Sequence, residues 1–234
     1  MISLIDGDIV TYRCAASCQE GDGVDVAILR ADKLMGQILE ETQADEYKVF
    51  ISGGSNFRYD VWSEYKANRR DVPKPPHLQP TREFLVTEWN AEPCDGMEAD
   101  DALGIAQRKL DTVICSIDKD LLQVPGNHYN FVKQEWKEIN ERCGFINFYR
   151  QLILGDKGDN IPGFDGLFRS KTPKFIQRFY DELESLETER EMYDHCLSLY
   201  NGDEETLQRN AQLLYILREE GKYWTKPQNM SEKL

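Results

Sequence analysis

The sequence lacks the cysteine and histidine pairs that build zinc sites and catalytic dyads. Its six cysteines include no Cys-x-x-Cys pair, and its three histidines, at positions 77, 128 and 195, lie far apart along the chain. These absences argue against a structural zinc ion and against a histidine-based catalytic pair or metal site.

Long apolar runs and basic residues are also scarce. No apolar run reaches the roughly 18 residues that a membrane span needs, and no signal peptide is visible. We therefore expect a cytoplasmic protein with free thiols and no membrane partner. The chain carries 42 Asp and Glu against 28 Lys and Arg, a net charge of -14. Taken alone, that charge argues against a nucleic-acid partner, because non-specific binding depends on Lys and Arg neutralising phosphates.

What the sequence has instead is acid in short clusters, each after a predicted strand or helix end. The clusters are Asp6, Glu98-Ala-Asp100-Asp101, Asp118-Lys-Asp120 and Asp156-Lys-Gly-Asp159. Carboxylates that converge repel one another unless cations or protons neutralise them. Hard oxygen ligands of this kind suit Mg²⁺ or Mn²⁺. Two such ions about 4 Å apart can activate a water and stabilise the leaving oxygen in phosphodiester hydrolysis.

One segment reverses the overall charge. Between positions 66 and 82 it has a single acid, Asp71, and these basic residues: Lys66, Arg69, Arg70, Lys74 and Arg82. A basic segment in a chain with an acidic metal cluster is what a nuclease needs. A solvated charged loop is the alternative for such a run in isolation.

The hydrophobic pattern predicts an α/β domain. Apolar runs at Ile2–Ile5, Tyr47–Ile51 and Val113–Ile117 indicate buried strands, with helical patterns between them. Such alternation favours a mostly parallel sheet, with sites outside the carboxyl ends of the strands. The proline-rich stretch 71–80 predicts an irregular loop or arch. From about Arg142 the pattern is helical. It predicts one helix that ends near Leu154 and three more at about 173–183, 189–200 and 204–220.

Five motifs in order resemble the 5′-nuclease family, which comprises flap endonucleases, the 5′-exonuclease domains of bacterial DNA polymerases, and bacteriophage 5′→3′ exonucleases and RNase H enzymes. They are Ile5-Asp-Gly-Asp8, Tyr65-Lys-Ala-Asn-Arg69, Glu98-Ala-Asp-Asp101, Ser116-Ile-Asp-Lys-Asp-Leu121 and Gly155-Asp-Lys-Gly-Asp-Asn-Ile-Pro-Gly163. The short length and the Asp-Gly-Asp opening are most similar to the phage members.

The resemblance implies a fold and a set of site residues. It implies a PIN-like α/β domain over 1–150, with a helical arch at about 62–90, and a helix-three-turn-helix region over 151–225 that grips duplex DNA. By match to the motifs, Asp6, Glu98 and Asp100 hold a first metal ion with Asp101 beside them. By the same match, a second ion is held by Asp118, Asp120, Asp156 and Asp159.

The resemblance also assigns nucleic-acid contacts. Lys66 and Arg69 would polarise the scissile phosphate at the arch, and charge-assisted contacts to developing negative charge fit that role independently. General phosphate tethering is the alternative for both. The predicted contacts to nucleic acid are Tyr65, Lys66, Arg69, Arg70 and Lys171. Tyr65 and Phe57 are aromatic rings on which single-stranded bases could stack.

Two departures from the family pattern stand out. The family carries an acid just after the second strand, where Ile51-Ser-Gly-Gly-Ser55 has none; Asp8 is a candidate substitute. The family's glycine-rich turn before Lys-Thr is altered in Gly163-Phe-Asp-Gly-Leu-Phe-Arg-Ser-Lys-Thr172. Glycines let backbone N–H groups approach a phosphate, so the grip on duplex DNA would change.

The sequence therefore predicts a Mg²⁺- or Mn²⁺-dependent 5′-nuclease, with two ions, acting on DNA with a 5′ end or flap or on an RNA–DNA hybrid. Replication proteins are candidate partners, and a phage-encoded enzyme would act in the host cytoplasm. Two alternatives stay open. One is a nucleic-acid-binding module that has lost catalysis with the missing acid. The other is a haloacid-dehalogenase-type phosphatase, suggested by the Asp6-Gly-Asp-Ile-Val10 opening and by Gly155-Asp156 with Asp159, although it leaves the other motifs unexplained.

Overall fold

The chain folds into two compact units, each drawn from separate stretches of sequence. The computed structural model describes residues 1–107, 111–169 and 172–228. Of these, the first unit takes residues within Met1–Asn56, Pro73–Ile139 and Leu217–Glu220. The second takes residues within Phe57–Val72, Asn140–Ile216 and Gly221–Leu234. The units reflect packing rather than function, so the functional domains 1–150 and 151–225 stay a prediction.

A six-stranded sheet forms the centre of the first unit. Its strands are β1 (Ile2–Asp6), β2 (Glu46–Ser52), β3 (Glu92–Cys94), β4 (Thr112–Cys115), β5 (Gly126–Asn130) and β6 (Glu135–Ile139). Their order across the sheet is β3-β2-β1-β4-β5-β6. All neighbours are parallel except β5 and β6, which are antiparallel. The predicted α/β fold with a mostly parallel sheet is confirmed.

The described residues also form a series of helices. They are α1 (Gly7–Ala16), α2 (Val24–Thr42), α3 (Arg58–Val61), α4 (Leu78–Glu88), α5 (Ala99–Gln107), α6 (Glu141–Leu154), α7 (Gln177–Ser185), α8 (Glu189–Leu199) and α9 (Glu204–Leu214). Within the described residues, no helix combines the length and the apolar character of a membrane span.

The core of the first unit explains why the central strands form. All four residues of β4 are buried, and β1 is buried from Ser3 to Asp6. Ile5, Val49 and Val113, from three neighbouring strands, pack in one cluster with Ala31 and Met35 of α2. Strands covered by helices become near-continuous apolar runs, which is the signal that the sequence carries here.

Two local predictions in the first unit are corrected. The proline-rich stretch is not irregular throughout, because α4 begins at Leu78 and includes Pro80. Proline is tolerated in the first turn of a helix, where its missing N–H has no intrahelical partner. The third predicted strand ends at Cys115, two residues early. The hairpin of β5 and β6 was not predicted, since β6 is an exposed polar strand at the sheet edge.

The second unit is helical around its own core. Helices α6 to α9 bury Phe148, Leu152, Leu183, Met192 and Leu207. The two-residue strands β7 (Gly155–Asp156) and β8 (Ile161–Pro162) form a small antiparallel pair. Here Gly155 has φ +74°, and an added Cβ would lie 2.4 Å from a backbone nitrogen, so only glycine fits. Helix α9 ends at Leu214, six residues before the predicted end at 220.

Candidate metal centre

Ser116 joins two of the predicted metal ligands at the carboxyl edge of the sheet. Asp6 ends β1, and its side chain caps α1 by accepting the Ile9 N–H at 3.0 Å. The hydroxyl of Ser116 donates to Oδ2 of Asp6 at 2.7 Å. The Oγ of Ser116 also accepts a hydrogen bond from the N–H of Asp118 at 3.0 Å. Because β1 and β4 are neighbours, the carboxylates that follow them meet at one edge, as predicted.

Burial makes the carboxyl group of Asp6 a poor place for an uncompensated charge. Its side chain is 1% exposed. Burial raises its pKa to about 7, with the negative charges of Asp8 and Asp118 acting in the same direction. The hydrogen bonds from Ser116 and from the Ile9 N–H oppose that rise. A bound cation would offset this cost, as expected of a ligand to a divalent ion.

Asp120 is linked to Asp118 through the backbone. The N–H of Asp120 donates to Oδ1 of Asp118 at 2.9 Å, and both side chains are half-buried. Asp120 opens a short 3₁₀ helix, Asp120–Gln123. This turn keeps both carboxylates of the Asp-Lys-Asp motif beside the end of β4.

Asp101 holds backbone groups with both of its oxygens. It is fully buried, and it accepts the Glu98 N–H at 3.1 Å on Oδ2 and the Leu217 N–H at 3.0 Å on Oδ1. These bonds cap α5 and fasten the segment Leu217–Glu220 within the first unit. Glu98 and Asp100, by contrast, are half-buried.

The missing acid after β2 has a structural counterpart. The Oγ of Ser52 accepts the Ala99 N–H at 2.9 Å, at the start of α5. At Gly53 an added Cβ would lie 2.3 Å from the carbonyl oxygen of Cys94, so no larger residue fits without a backbone shift. Asp8 is not a ready substitute. It accepts the Ser52 N–H at 3.0 Å and is ion-paired with Arg82 of α4.

The donor chemistry of this edge fits a divalent cation. Its ligands are carboxylate oxygens, which Mg²⁺ and Mn²⁺ prefer. In the described part of the chain, no three His, Cys, Asp or Glu side chains already form a metal-holding group. The fit therefore rests on the buried Asp6, on its link to Asp118 and on the oxygen-only donor set.

In the second unit, two predicted motifs meet at Asp159. Its Oδ2 accepts the Tyr65 hydroxyl at 3.0 Å and lies 3.7 Å from the ammonium of Lys66. Its Oδ1 accepts from the guanidinium of Arg69 at 2.5 Å. The Tyr-Lys-Ala-Asn-Arg and Gly-Asp-Lys-Gly-Asp motifs are thus in direct contact, which their separation in the sequence did not indicate.

Backbone contacts join the same two segments. Arg69 Nε donates to the Gly158 carbonyl at 2.7 Å, and Asn68 donates to the Lys157 carbonyl at 2.7 Å. The N–H of Lys66, a residue with φ +53°, donates to the Asp159 carbonyl at 2.9 Å. Asp156 accepts the N–H groups of Gly158 and Asp159 and shapes the turn between them.

The nucleic-acid contacts predicted in this unit have different surroundings. Tyr65 is 1% exposed and belongs to the core, so it offers almost no surface on which a base could stack. Arg70 is exposed, and its guanidinium donates to the Ser63 carbonyl. Lys171 lies outside the described residues. In the altered turn, Arg169 forms an ion pair with Asp165. The carboxylate of Asp165 therefore offsets the positive charge of Arg169.

Sequence reasoning missed two positioning residues. Ser116 precedes Asp118 by two positions, a spacing that places both on one face of an extended chain. Arg58 is 2% exposed and donates to the carbonyls of Leu213 and Tyr215, where α9 ends. No local pattern announces a partner 155 residues away.

A mostly parallel sheet with Asp6 and Asp118 at its carboxyl edge is compatible with a metal-dependent hydrolase that acts on phosphodiesters. A family model described as 5′-3′ exonuclease, N-terminal resolvase-like domain, matches residues 1–149. The chain belongs to this family of nucleases, and the predicted enzyme class is confirmed. The match also decides against the phosphatase alternative.

Individual relatives agree. A 5′-3′ exonuclease of Buchnera aphidicola is 27% identical over 218 residues, covering 80% of this chain and 75% of the relative. DNA polymerase I of Chloroflexus aurantiacus is 25% identical, over 76% of this chain but 22% of the polymerase. The chain thus spans under a quarter of that polymerase. The solved structure of T5 5′-exonuclease with bound zinc has a TM-score of 0.65 at 19% identity, covering 91% of this chain and 88% of that chain. This likeness supports the fold.

Proposed function

We propose that this protein is a structure-specific 5′-nuclease that hydrolyses DNA phosphodiesters at or near a 5′ end with two divalent metal ions, Mg²⁺ or Mn²⁺. The observation that carries the proposal is the Asp6–Ser116–Asp118 arrangement. It places a buried, hydrogen-bonded carboxylate beside a second one at the sheet edge. Family membership supplies the reaction class.

The residues of this chain have separable roles in the proposal. Asp6, Glu98 and Asp100 would hold the first ion, and Asp118 with Asp120 would contribute to the second, to which the family pattern also assigns Asp156 and Asp159. When bound, the ions would make a water more acidic and stabilise the leaving oxygen. The hydrogen bond from Ser116 opposes the rise in the pKa of Asp6 and would orient its carboxylate toward the ion. Asp101, which the family pattern places beside the ligands of the first ion, also holds the start of α5 in place.

Lys66 and Arg69 are proposed to bind the phosphate at the cleaved bond. Both are held by Asp159, so a substrate phosphate would compete with that carboxylate for them. Arg is suited to such a site because its planar guanidinium binds phosphate oxygens in pairs. Substrate choice would follow nucleic-acid shape rather than sequence, since phosphate contacts carry no base information.

The proposed substrates are DNA with a 5′ end or flap, with RNA–DNA hybrids as a second class. T5 flap endonuclease has been solved in complex with DNA and metal ions, and several relatives are DNA polymerase I chains. These likenesses support DNA as the substrate and replication proteins as partners. A cytoplasmic location is compatible with DNA as the substrate and with replication proteins as partners.

End-labelled 5′-flap, blunt duplex and RNA–DNA hybrid substrates test the proposal. The purified chain is incubated with each substrate in Mg²⁺, Mn²⁺ or EDTA, beside Asp118→Ala and the exposed control Asp181→Ala. We expect metal-dependent cleavage from the 5′ side that Asp118→Ala abolishes and Asp181→Ala preserves. Binding without cleavage in either metal would instead establish the non-catalytic binding module.

A further inference from the structure

A second site lies in the first unit, beside the proposed metal ligands. A cavity of about 330 Å³ opens between the end of β4 and one face of the β5–β6 hairpin. That volume is at the lower end of the range for small-molecule sites. Its polar lining comprises Ser116, Asp118, Lys119, His128, Asn130, Lys133, Glu135 and Lys137. No role in the proposed reaction has been given to its lysines.

The strand register explains why these side chains share one face. In the antiparallel pair, His128 lies opposite Lys137, and Asn130 lies opposite Glu135. Directly opposed residues project to the same side of a sheet, as do residues two apart on one strand. Four polar side chains therefore form one surface of the hairpin, which ends at the turn that carries Lys133.

Within the described residues, the three lysines of the lining are not ion-paired. None of their ammonium groups lies within 4.0 Å of a carboxylate in the part of the chain that the structure describes. Unpaired lysines that converge on one cavity raise the local potential and attract anions.

Asn130 adds a neutral donor. Its side-chain oxygen accepts the N–H groups of Val132 and Lys133 at 3.1 and 2.9 Å. The amide nitrogen of Asn130 is thereby directed away from those bonds and remains a donor for a ligand. A cavity with three ammonium groups and an amide donor suits a multiply charged oxyanion, for which lysine serves as a point-charge ligand.

We propose that this cavity is a phosphate subsite, which binds either a phosphodiester of the nucleic-acid strand or the phosphate of a released nucleotide. The acids of the lining, Asp118 and Glu135, do not cancel its three lysines. Asp118 is also a proposed metal ligand, and to that extent the inference rests on the proposed function. Its position beside Asp118 makes the subsite a guide for the strand at the cleaved bond.

The test measures binding in EDTA, so that cleavage plays no part. The affinity of wild type and of Lys133→Ala/Lys137→Ala for a 5′-phosphorylated single strand is followed by fluorescence anisotropy over a range of salt. Each lost phosphate contact should reduce the slope of log K against log salt by about 0.7 for a single strand. We expect a decrease of about 1.4 for the double variant. The control Lys33→Ala/Lys48→Ala removes two exposed lysines elsewhere in the same unit and should leave the slope unchanged.

Two further arms separate the phosphate sources and guard against misfolding. Titration with a deoxynucleoside monophosphate or inorganic phosphate should shift the NMR signals of His128 and Asn130 if free phosphates bind; an effect on the strand alone assigns the subsite to the phosphodiester backbone. Lys133→Arg/Lys137→Arg should restore the slope. An unchanged slope together with unchanged signals would overturn the inference. If the slopes change as expected but the wild-type protein does not cleave DNA in Mg²⁺, the proposed function is overturned and the phosphate subsite is not.

Discussion

The hydroxyl of Tyr65 and the carboxylate of Asp159 are joined by a hydrogen bond of 3.0 Å, although 94 residues separate them in the chain. The bond connects a core tyrosine with an acid that also holds Lys66 and Arg69. The basic residues proposed to bind phosphate are thus positioned by a carboxylate assigned to metal binding. Substrate phosphates and metal ions would both change this group of contacts.

We predict measurable coupling between Tyr65 and Asp159. Tyr65→Phe removes one hydrogen bond and should lower the free energy of unfolding by about 1 kcal/mol. In an Asp159→Ala background the same change should cost at least about 0.5 kcal/mol less, because its partner is already absent. Urea denaturation in EDTA gives all four values of the cycle.

Tyr59→Phe is the matched control for that cycle. Tyr59 packs edge-on against Tyr65 with ring centroids 5.7 Å apart, and it is 46% exposed. Its change should be small and independent of Asp159. Equal costs of Tyr65→Phe in both backgrounds would show that the contact contributes nothing to stability.

Ser116→Ala should weaken metal binding without unfolding the protein. The substitution removes the donor to Oδ2 of Asp6 and the acceptor for the Asp118 N–H. Residues that orient metal ligands typically contribute a factor of about 10–100 to affinity. We expect a loss in that range for Mn²⁺, measured by titration calorimetry without substrate.

The control for this experiment is Ser17→Ala, at the exposed end of α1, where the hydroxyl donates to the Cys14 carbonyl. It should bind Mn²⁺ like wild type. Wild-type affinity in Ser116→Ala would mean that the side chain of Asp6 is oriented by the backbone alone. Thermal denaturation of both variants confirms that the fold is intact.

Local patterns predicted the sheet and the acids, and they failed where long-range contacts decide. The apolar runs of β1 and β4 were sufficient to place Asp6 and Asp118 at one edge. The contacts of Asp101 and Asp8 were not predictable, because their partners are distant in the sequence. The Leu217 N–H donates a hydrogen bond to Asp101, and Arg82 forms an ion pair with Asp8. A carboxylate that accepts hydrogen bonds from backbone N–H groups has the same sequence pattern as one that binds a metal ion.

The edge strand shows the opposite limit. Strand β6 has four exposed residues of five, and it forms because β5 offers an unpaired edge rather than because of its own pattern. The cavity beside it was therefore invisible in the sequence.

Arg58→Met should destabilise the second unit. The guanidinium donates to the Leu213 carbonyl at 2.7 Å and to the Tyr215 carbonyl at 2.8 Å in a buried setting. Methionine keeps the apolar length but leaves these acceptors without those donors. The expected loss is about 2–3 kcal/mol in the free energy of unfolding. Hydrogen exchange should speed up most near the end of α9.

Arg178→Met is the control for Arg58. Arg178 lies on the exposed side of α7, with its guanidinium 4.6 Å from the ring centroid of Phe179. Its removal should cost under about 1 kcal/mol. If the two variants were equally stable, the bonds from Arg58 to the end of α9 would have no net effect.

His128 should make stability depend on pH. Burial lowers its pKa below the usual value of 6.5, the charge of Lys137 acts in the same direction, and the hydrogen bond to the Val124 carbonyl opposes them. The folded state therefore keeps the ring neutral at pH values where the unfolded chain takes up a proton. The contribution of His128 to stability is therefore fully present above about pH 6.5 and is lost as the pH falls below that value. Asp6, whose pKa is raised to about 7 by burial, contributes in the opposite direction.

The measurement is the free energy of unfolding between pH 7.5 and 5.5, in buffers without phosphate so that the proposed subsite stays empty. His128→Gln should remove this contribution from the profile, since the titrating group is gone. Lys137→Gln should remove it only in part, because burial still lowers the pKa of His128 when the neighbouring charge is removed. An unchanged profile in His128→Gln would assign the acid sensitivity to other groups. A profile of Lys137→Gln steeper than that of wild type would contradict the sign of the charge effect.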